Sequence, residues 1–146
     1  MNPDSHYRSL EKMYLSAPIN AFFNPKIAIS REYAEIEVTI KTAWYHGAQA
    51  VHGSVYFKML DDAAYFAANS IEREYFVLTA AFTTYLTRPV SEGLMKSIGR
   101  VVHKNKTQIL ADSVVYDGQG REIGRGNGLF VRGRIRLSEV RGYGDG

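Results

Sequence analysis

Two adjacent carboxylates, Asp61 and Asp62, interrupt a largely apolar stretch that runs from Val55 to Ala68. Neighbouring residues of a helix point about 100° apart, so the pair cannot share one environment. Asp62 lies one turn beyond Lys58 and can pair with it on a wetter side. Asp61 has Phe57, Ala64, Tyr65 and Ala68 around it. Apolar surroundings disfavour an ionised carboxylate, which raises its pKa and makes it a better base near neutrality. A purely structural hydrogen bond is the other use of such a group. The same segment opens with His52-Gly53-Ser54, where first-turn N–H groups have no intrahelical acceptors. Glycine admits a substrate close to that backbone, and the helix dipole favours negative charge there, which together suit an oxyanion hole. A plain helix start, with Gly53 only relieving crowding, is the alternative.

These residues need elements to hold them. Residues 5–16 read as a short helix with Ser5 as its cap and Leu10, Met13 and Tyr14 on one face, ended by Pro18. Asn24-Pro25 is a turn, followed by strands over Lys26–Ser30 and Tyr33–Lys41; in the second, Ala34, Ile36, Val38 and Ile40 alternate with polar residues. After an irregular loop, Gly53 to Ser70 reads as a helix apolar nearly all round, and such a helix is buried. Four strands follow, Phe76–Thr87, Gly93–His103, Thr107–Tyr116 and Glu122–Arg132, with Asp117-Gly118-Gln119-Gly120 as a hairpin turn. The tail from Ser138 is expected to fray. The order gives an α+β class, a strongly twisted antiparallel sheet wrapped around one central helix, as a single domain over residues 1–146.

Composition excludes several functions. With 146 residues there is room for one domain, and 18 basic against 15 acidic side chains give a mild charge of +3, not the concentrated basic face of a nucleic-acid binder. Six arginines, Arg121, Arg125, Arg132, Arg134, Arg136 and Arg141, do gather near the end. They read as charges protecting a solvated edge strand, with attraction for a phosphorylated small molecule as the functional alternative. Cysteine is absent, and His6, His46, His52 and His103 have no ligand spacing, so no metal is expected. No Gly-x-Ser-x-Gly elbow marks a serine hydrolase. Lys58 and Asp61 interrupt the longest apolar run, and the start of the chain lacks signal-peptide grammar, so no membrane span and a cytoplasmic location are expected.

The run His52-Gly53-Ser54-Val55-Tyr56-Phe57-Lys58-Met59-Leu60-Asp61-Asp62-Ala63-Ala64 resembles the His-Gly-Gly…Leu-x-Asp-x-Ala signature of phenylacetate-degradation-type acyl-CoA thioesterases, a hotdog-fold family. Phe82–Val90, Arg100–Lys104 and Gly124–Phe130 are similar to its later strands. The resemblance implies a hotdog fold and hydrolysis of an acyl-CoA thioester. It puts Asp61 on the general base or nucleophile, Gly53 on the backbone donor to the thioester carbonyl, and Thr79 where a serine orients water in some members. His46 stands where the family usually has an asparagine, and an imidazole can donate to the same carbonyl. Gln49 and Ser54 stand where the family has glycines. His52 belongs with the candidate catalytic residues and Ser54 with those touching substrate. Arg88, Lys104, Lys106 and Arg125 are the candidate partners of the coenzyme A phosphates. No cofactor is implied beyond coenzyme A as part of the substrate.

Gly53 and Asp61 are eight residues apart on one helix, about 12 Å along its axis. A nucleophile and an oxyanion donor must both approach the reacting group to about 3 Å, so one chain cannot supply both. A two-fold homodimer with antiparallel neighbouring helices can, and the family assembles in this way; the sequence leaves open whether dimers also pair back to back into a tetramer. A non-catalytic binder of acyl-CoA or a fatty ligand is the alternative function, and a hydratase using His52 a third. Tyr56, Phe57, Tyr65, Phe66 and Phe82 supply either an acyl pocket or ordinary core.

Overall fold

The computed structural model describes residues 2–144. Helix α1 (Pro3–Ser16) starts two residues before the expected point, because Asn2 rather than Ser5 is its cap. Asn2 Oδ1 accepts from the Ser5 N–H at 2.9 Å, and Pro3 occupies a first-turn position where no N–H is needed. Leu10, Met13 and Tyr14 are buried, as their spacing predicts. Beyond Pro18 the chain makes a further single turn, α2 (Asn20–Phe23), closed by Asn24 in the left-handed conformation. Four residues are too few to show a periodicity, and the sequence gives no sign of this turn.

Strand β1 (Lys26–Ser30) pairs with β2 (Tyr33–Thr39), which stops two residues short of the expected Lys41. A 3₁₀ turn at Thr42–Trp44 leads to helix α3 (Gly53–Asn69), then β3 (Tyr75–Leu86), β4 (Leu94–Lys104), β5 (Gln108–Asp117) and β6 (Glu122–Arg136). All six strands form one antiparallel sheet in the order β1-β2-β4-β5-β6-β3. The arginine-rich β6 is therefore not an edge strand, contrary to expectation, since β3 pairs along its outer side. Four of the six arginines lie in ion pairs: Arg121 with Asp117, Arg125 with Glu122, Arg132 with Glu72 and Arg136 with Glu74.

The concave side of the sheet is filled by α3. Leu60, Ala63, Ala64, Ala67 and Ala68 are fully buried, with Ile36, Met95, Val115, Ile123 and Phe130 from the strands around them. The closest approach is backbone to backbone: a Cβ on Gly99 of β4 would lie 2.2 Å from the Ala63 carbonyl oxygen. No described helix is long and apolar enough to cross a membrane.

Over its described length the tail is docked, not frayed. Leu137 is buried in a second 3₁₀ turn (Leu137–Glu139), and Tyr143 is buried against α1. Completely buried His6 joins three segments, with Nδ1 2.7 Å from the Tyr143 hydroxyl and Nε2 2.9 Å from the Asn69 carbonyl. A carbonyl can only accept, so Nε2 carries the proton and Nδ1 accepts from the phenol. Burial lowers the His6 pKa and keeps the ring neutral. The rest of the tail, residues 145–146, lies outside the described residues.

The contact between α3 and β4 predicts an asymmetric response to added methyl groups. Gly99→Ala should cost about 2–3 kcal/mol and lower Tm by roughly 5–10 °C in thermal unfolding. Gly47→Ala, whose new carbon meets nothing within 4 Å, should leave Tm essentially unchanged.

Candidate active site

On α3 the two carboxylates separate as helix geometry requires. Asp62 Oδ2 accepts from Lys58 Nζ at 2.6 Å and from the Tyr14 hydroxyl at 2.7 Å. The Lys58 ammonium lies 5.2 Å and 5.0 Å from the Tyr14 and Phe23 ring centroids, so Asp62 is neutralised within a partly buried cluster. Among the described residues Asp61 receives one hydrogen bond, from Thr79 Oγ1 at 2.9 Å. Burial pushes the Asp61 pKa up to about 6; the Thr79 hydroxyl pulls it down, the Asp62 charge pushes it up and Lys58 pulls it down.

Thr79 reaches Asp61 from β3 next to a bulge. Thr79 pairs with Phe130 and Ala81 with Leu129, leaving Ala80 as the extra residue. Beyond the bulge Phe82 also faces α3, where its ring meets Phe57 edge-on at 5.5 Å.

At the other end of α3, His52 is the N-cap. Its Nδ1 accepts from the Ser54 N–H at 3.0 Å and faces the Ser54 hydroxyl at 2.8 Å. The Val55 N–H bonds to the His52 carbonyl, and no acceptor among the described residues takes the N–H of Gly53. One backbone donor of the first turn is thus left open, and it belongs to the residue without a side chain. The preceding loop is closed on itself, with Tyr45 bridged to Val51 and Gln49 at φ 69°. His46 Nδ1 accepts from the Ala48 N–H at 3.0 Å, so the exposed His46 ring carries its proton on Nε2 as a donor.

A cavity of about 490 Å³ adjoins Asp61. Its inner wall is Tyr65 and Phe66 of α3 with Phe76 to Thr79 of β3; its outer wall is the end of α1, the α2 turn and Val140 of the tail. Sequence reading named Tyr65, Phe66 and Thr79 of the inner wall, but not Phe76 to Leu78 and none of the outer wall, since no local pattern says that both ends of a chain will fold over a helix in its middle. Of the five aromatic residues considered, Tyr65 and Phe66 line the cavity. The Tyr56 hydroxyl instead donates to the Arg88 carbonyl at 2.8 Å.

The four basic candidates are not brought together. Arg88 and Arg125 lie toward the end of the sheet that holds the start of α3, whereas Lys104 and Lys106 flank the β4–β5 turn at the other. Arg125 is held bidentately by Glu122 at 2.7 Å through both nitrogens, and Lys104 pairs with Glu32. Among the described residues no His, Asp and Glu side chains group so as to hold a metal ion.

A sequence profile of the thioesterase superfamily matches residues 48–123, just over half of the chain and the part that carries both His52-Gly53 and Asp61. No curated protein sequence matches. Among solved structures, the Escherichia coli PaaI protein of the phenylacetic acid degradation operon superposes with a TM-score of 0.83 at 20% identity, covering 92% of this chain and 97% of that one. A thioesterase family protein from Silicibacter pomeroyi gives 0.75 at 23% identity, covering 84% and 96%. At these identities the likeness is one of fold, and it identifies the α+β sheet-and-helix arrangement as a hotdog fold.

The raised Asp61 pKa is also a statement about stability. Ionising Asp61 is harder in the folded chain than in the unfolded one, so above pH 6 the carboxylate opposes folding, and below the ordinary carboxylate range both states are protonated and the cost vanishes. Asp61→Asn should therefore stabilise the protein at pH 8 by about 1–2 kcal/mol, allowing for partial exposure of the group. Thermal unfolding should show the gain shrinking as pH falls from about 6 and absent only below about pH 3.

Proposed function

We propose that this chain, which belongs to the thioesterase superfamily, hydrolyses acyl-coenzyme A thioesters at Asp61. Asp61 removes a proton from a water molecule as that water attacks the thioester carbonyl carbon, and Thr79 orients the carboxylate and the water. The open N–H of Gly53 stabilises the negative charge developing on the carbonyl oxygen, and His46 Nε2–H, from the loop before the helix, is the candidate second donor. Collapse of the tetrahedral intermediate breaks the carbon–sulfur bond, and the proton on Asp61 passes to the departing thiolate, giving a carboxylic acid and coenzyme A. The observation that carries this reading is the contrast between neighbouring carboxylates. Lys58 and Tyr14 occupy Asp62, while Asp61 has a single hydroxyl, a pKa near 6 and an apolar cavity at its side.

The site we propose is shared between two copies. Gly53 lies against Leu86, and Asp61 against Thr79, on the same β3 strand. That strand has an open edge and exposes Leu78, Tyr85 and Leu86, with Phe57 of α3 also uncovered. A two-fold axis crossing β3 between Phe82 and Thr83 would set Leu86 of one copy opposite Thr79 of the other. The donor at Gly53 then approaches the base at Asp61 across the interface, twice per dimer. His52 serves here by capping Ser54, which leaves the Gly53 N–H open. Arg88 is the favoured partner for the coenzyme's phosphates, since it flanks the start of α3 and Arg125 and Lys104 already face acidic partners.

Kinetics on a panel of acyl-CoAs test this. Asp61→Ala should lower kcat by about a thousandfold or more, and wild-type kcat/KM should rise with pH through about 6 to a plateau. Acyl-CoA binding without turnover in wild type would replace the hydrolase with a carrier.

The shared site has its own test, because Gly53 is at the first helical position and His52 before it is extended, a setting proline accepts. Gly53→Pro deletes the donor, and kcat should fall about 10²–10³-fold with the fold kept. Mixing Gly53→Pro with Asp61→Ala subunits should restore about a quarter of wild-type activity, from one intact site in each mixed dimer. No recovery on mixing would show that the site is not shared.

A further inference from the structure

The proposed interface along β3 would cover Phe57, Leu78, Tyr85 and Leu86, but three other exposed hydrophobic side chains fall within eight residues of the connection from α1 to β1. Leu15 is 52% exposed, Ile19 58% and Phe22 53%. The Phe22 N–H bonds to the Ile19 carbonyl at 3.1 Å, so these two residues stand on one side of the α2 turn. Phe22 is braced by two buried rings, Phe23 with centroids 5.1 Å apart and Trp44 at 6.4 Å. The apolar tip is thus held in place while its outer side stays in water. Single apolar side chains are ordinary on a surface, whereas a group of them marks a place of contact.

The charge around this tip is predominantly positive. No Asp or Glu occurs from Lys12 to Arg31. Lys41 Nζ donates to the Phe22 carbonyl at 3.4 Å, and Arg141 borders the same cavity as Pro18 and Ile19. The tail beside Arg141 runs against α1, where Gly142 meets Ser16 and the Lys12 carbonyl. Among the described residues neither Lys12, Lys41 nor Arg141 is in an ion pair. Acidic groups on the adjoining helices are engaged elsewhere, Glu11 by Arg8 and the Ile29 N–H, and Asp62 by Lys58 and Tyr14.

We propose that the connection from α1 to β1 docks the protein on an anionic phospholipid surface. Leu15, Ile19 and Phe22 enter the acyl boundary, and Lys12, Lys41 and Arg141 meet the headgroup phosphates. A bilayer surface suits this set because it asks for apolar side chains beside cations and for no matching pattern of hydrogen bonds. The long stems of lysine and arginine lie along an apolar boundary while their charges stay at headgroup level. A second copy meeting this patch with its own would set like charges together. The docked tip is also the outer wall of the cavity beside Asp61, through Ala17, Pro18 and Ile19. Docking therefore brings that cavity to the lipid, the phase in which long acyl chains collect. The inference goes beyond hydrolysis and would stand if Asp61 proved inert.

Vesicle sedimentation with the whole chain tests it. Phosphatidylcholine vesicles containing about a third phosphatidylglycerol should bind at least about tenfold more tightly than phosphatidylcholine alone, and high salt should abolish the difference. Trp44, the single tryptophan, lies beside Phe22 and reports orientation. Its fluorescence should be quenched by vesicle lipids brominated near the headgroup end of their acyl chains. Ile19→Ser combined with Phe22→Ser should weaken binding by about tenfold or more. Lys12→Gln and Lys41→Gln should each weaken it about fivefold, with Tm confirming that every variant folds. Absence of binding to the anionic vesicles, or binding without quenching of Trp44, overturns the proposal whatever the variants do. It is equally overturned if the Ile19→Ser, Phe22→Ser chain binds vesicles as before and changes oligomeric state in light scattering, which would make the tip a contact between copies.

Discussion

The backbone of α3 rests directly on β4, with no side chain between the Ala63 carbonyl and Gly99. That contact sets how deeply the helix sinks into the sheet, and the depth decides what can happen at Asp61. Small residues run along the buried side, Ala63, Ala64, Ala67 and Ala68, so the helix lies close enough for a threonine on β3 to touch a carboxylate on α3. Larger residues there would hold the helix further off and widen the gap between Asp61 and Thr79. The long aromatic side chains lie at the flanks, where Tyr65, Phe66, Phe76 and Phe130 pack ring to edge. Close seating in the middle and bulky filling at the sides leave a hollow along one flank of the helix, and the catalytic candidate stands at its rim.

The hollow makes the electrostatics unequal. Both carboxylates come from one turn of one helix, yet Tyr14 and Lys58 converge on Asp62 while Asp61 turns toward the strand. Burial, offset only in part by the Thr79 hydroxyl and by Lys58, makes Asp61 a reluctant anion. The α1 helix contributes to this division by supplying Tyr14, and it also walls the cavity. Its docking through His6 to Asn69 and Tyr143 belongs to the same construction, since it ties the front of the chain to the far end of α3 and to the tail.

Sequence reading recovered what depends on periodicity or short spacing. The all-round apolar pattern of residues 53–70 specified a buried helix, alternation specified most strands to within one or two residues, and the i to i+4 spacing of Lys58 and Asp62 specified their ion pair. The readings that failed concern contacts between distant parts of the chain. Tyr143 looks like a loose tail residue until His6 is placed against it. The arginines of β6 look like an exposed edge until β3 is laid beside them. Asn20 sits in a turn too short to have a pattern, and its hydrogen bond to the Tyr14 carbonyl shows only once that turn is folded against α1. Thr79 was named through family resemblance; nothing in its neighbours on the strand distinguishes it.

The bulge at Ala80 has a consequence for how this protein can change over generations. Side chains on a strand alternate between faces, so one extra residue lets Thr79 and Phe82, three apart in the chain, both look toward the helix. Deleting a single codon between them would leave Thr79 and Phe82 two apart on a regular strand, still on the helix face, and only the local bend and twist of the bulge would be lost. Length in this short stretch can therefore change without exchanging the faces of the strand. Elsewhere along β3, a gain or loss of one residue exchanges a whole half-strand at once unless a bulge absorbs it.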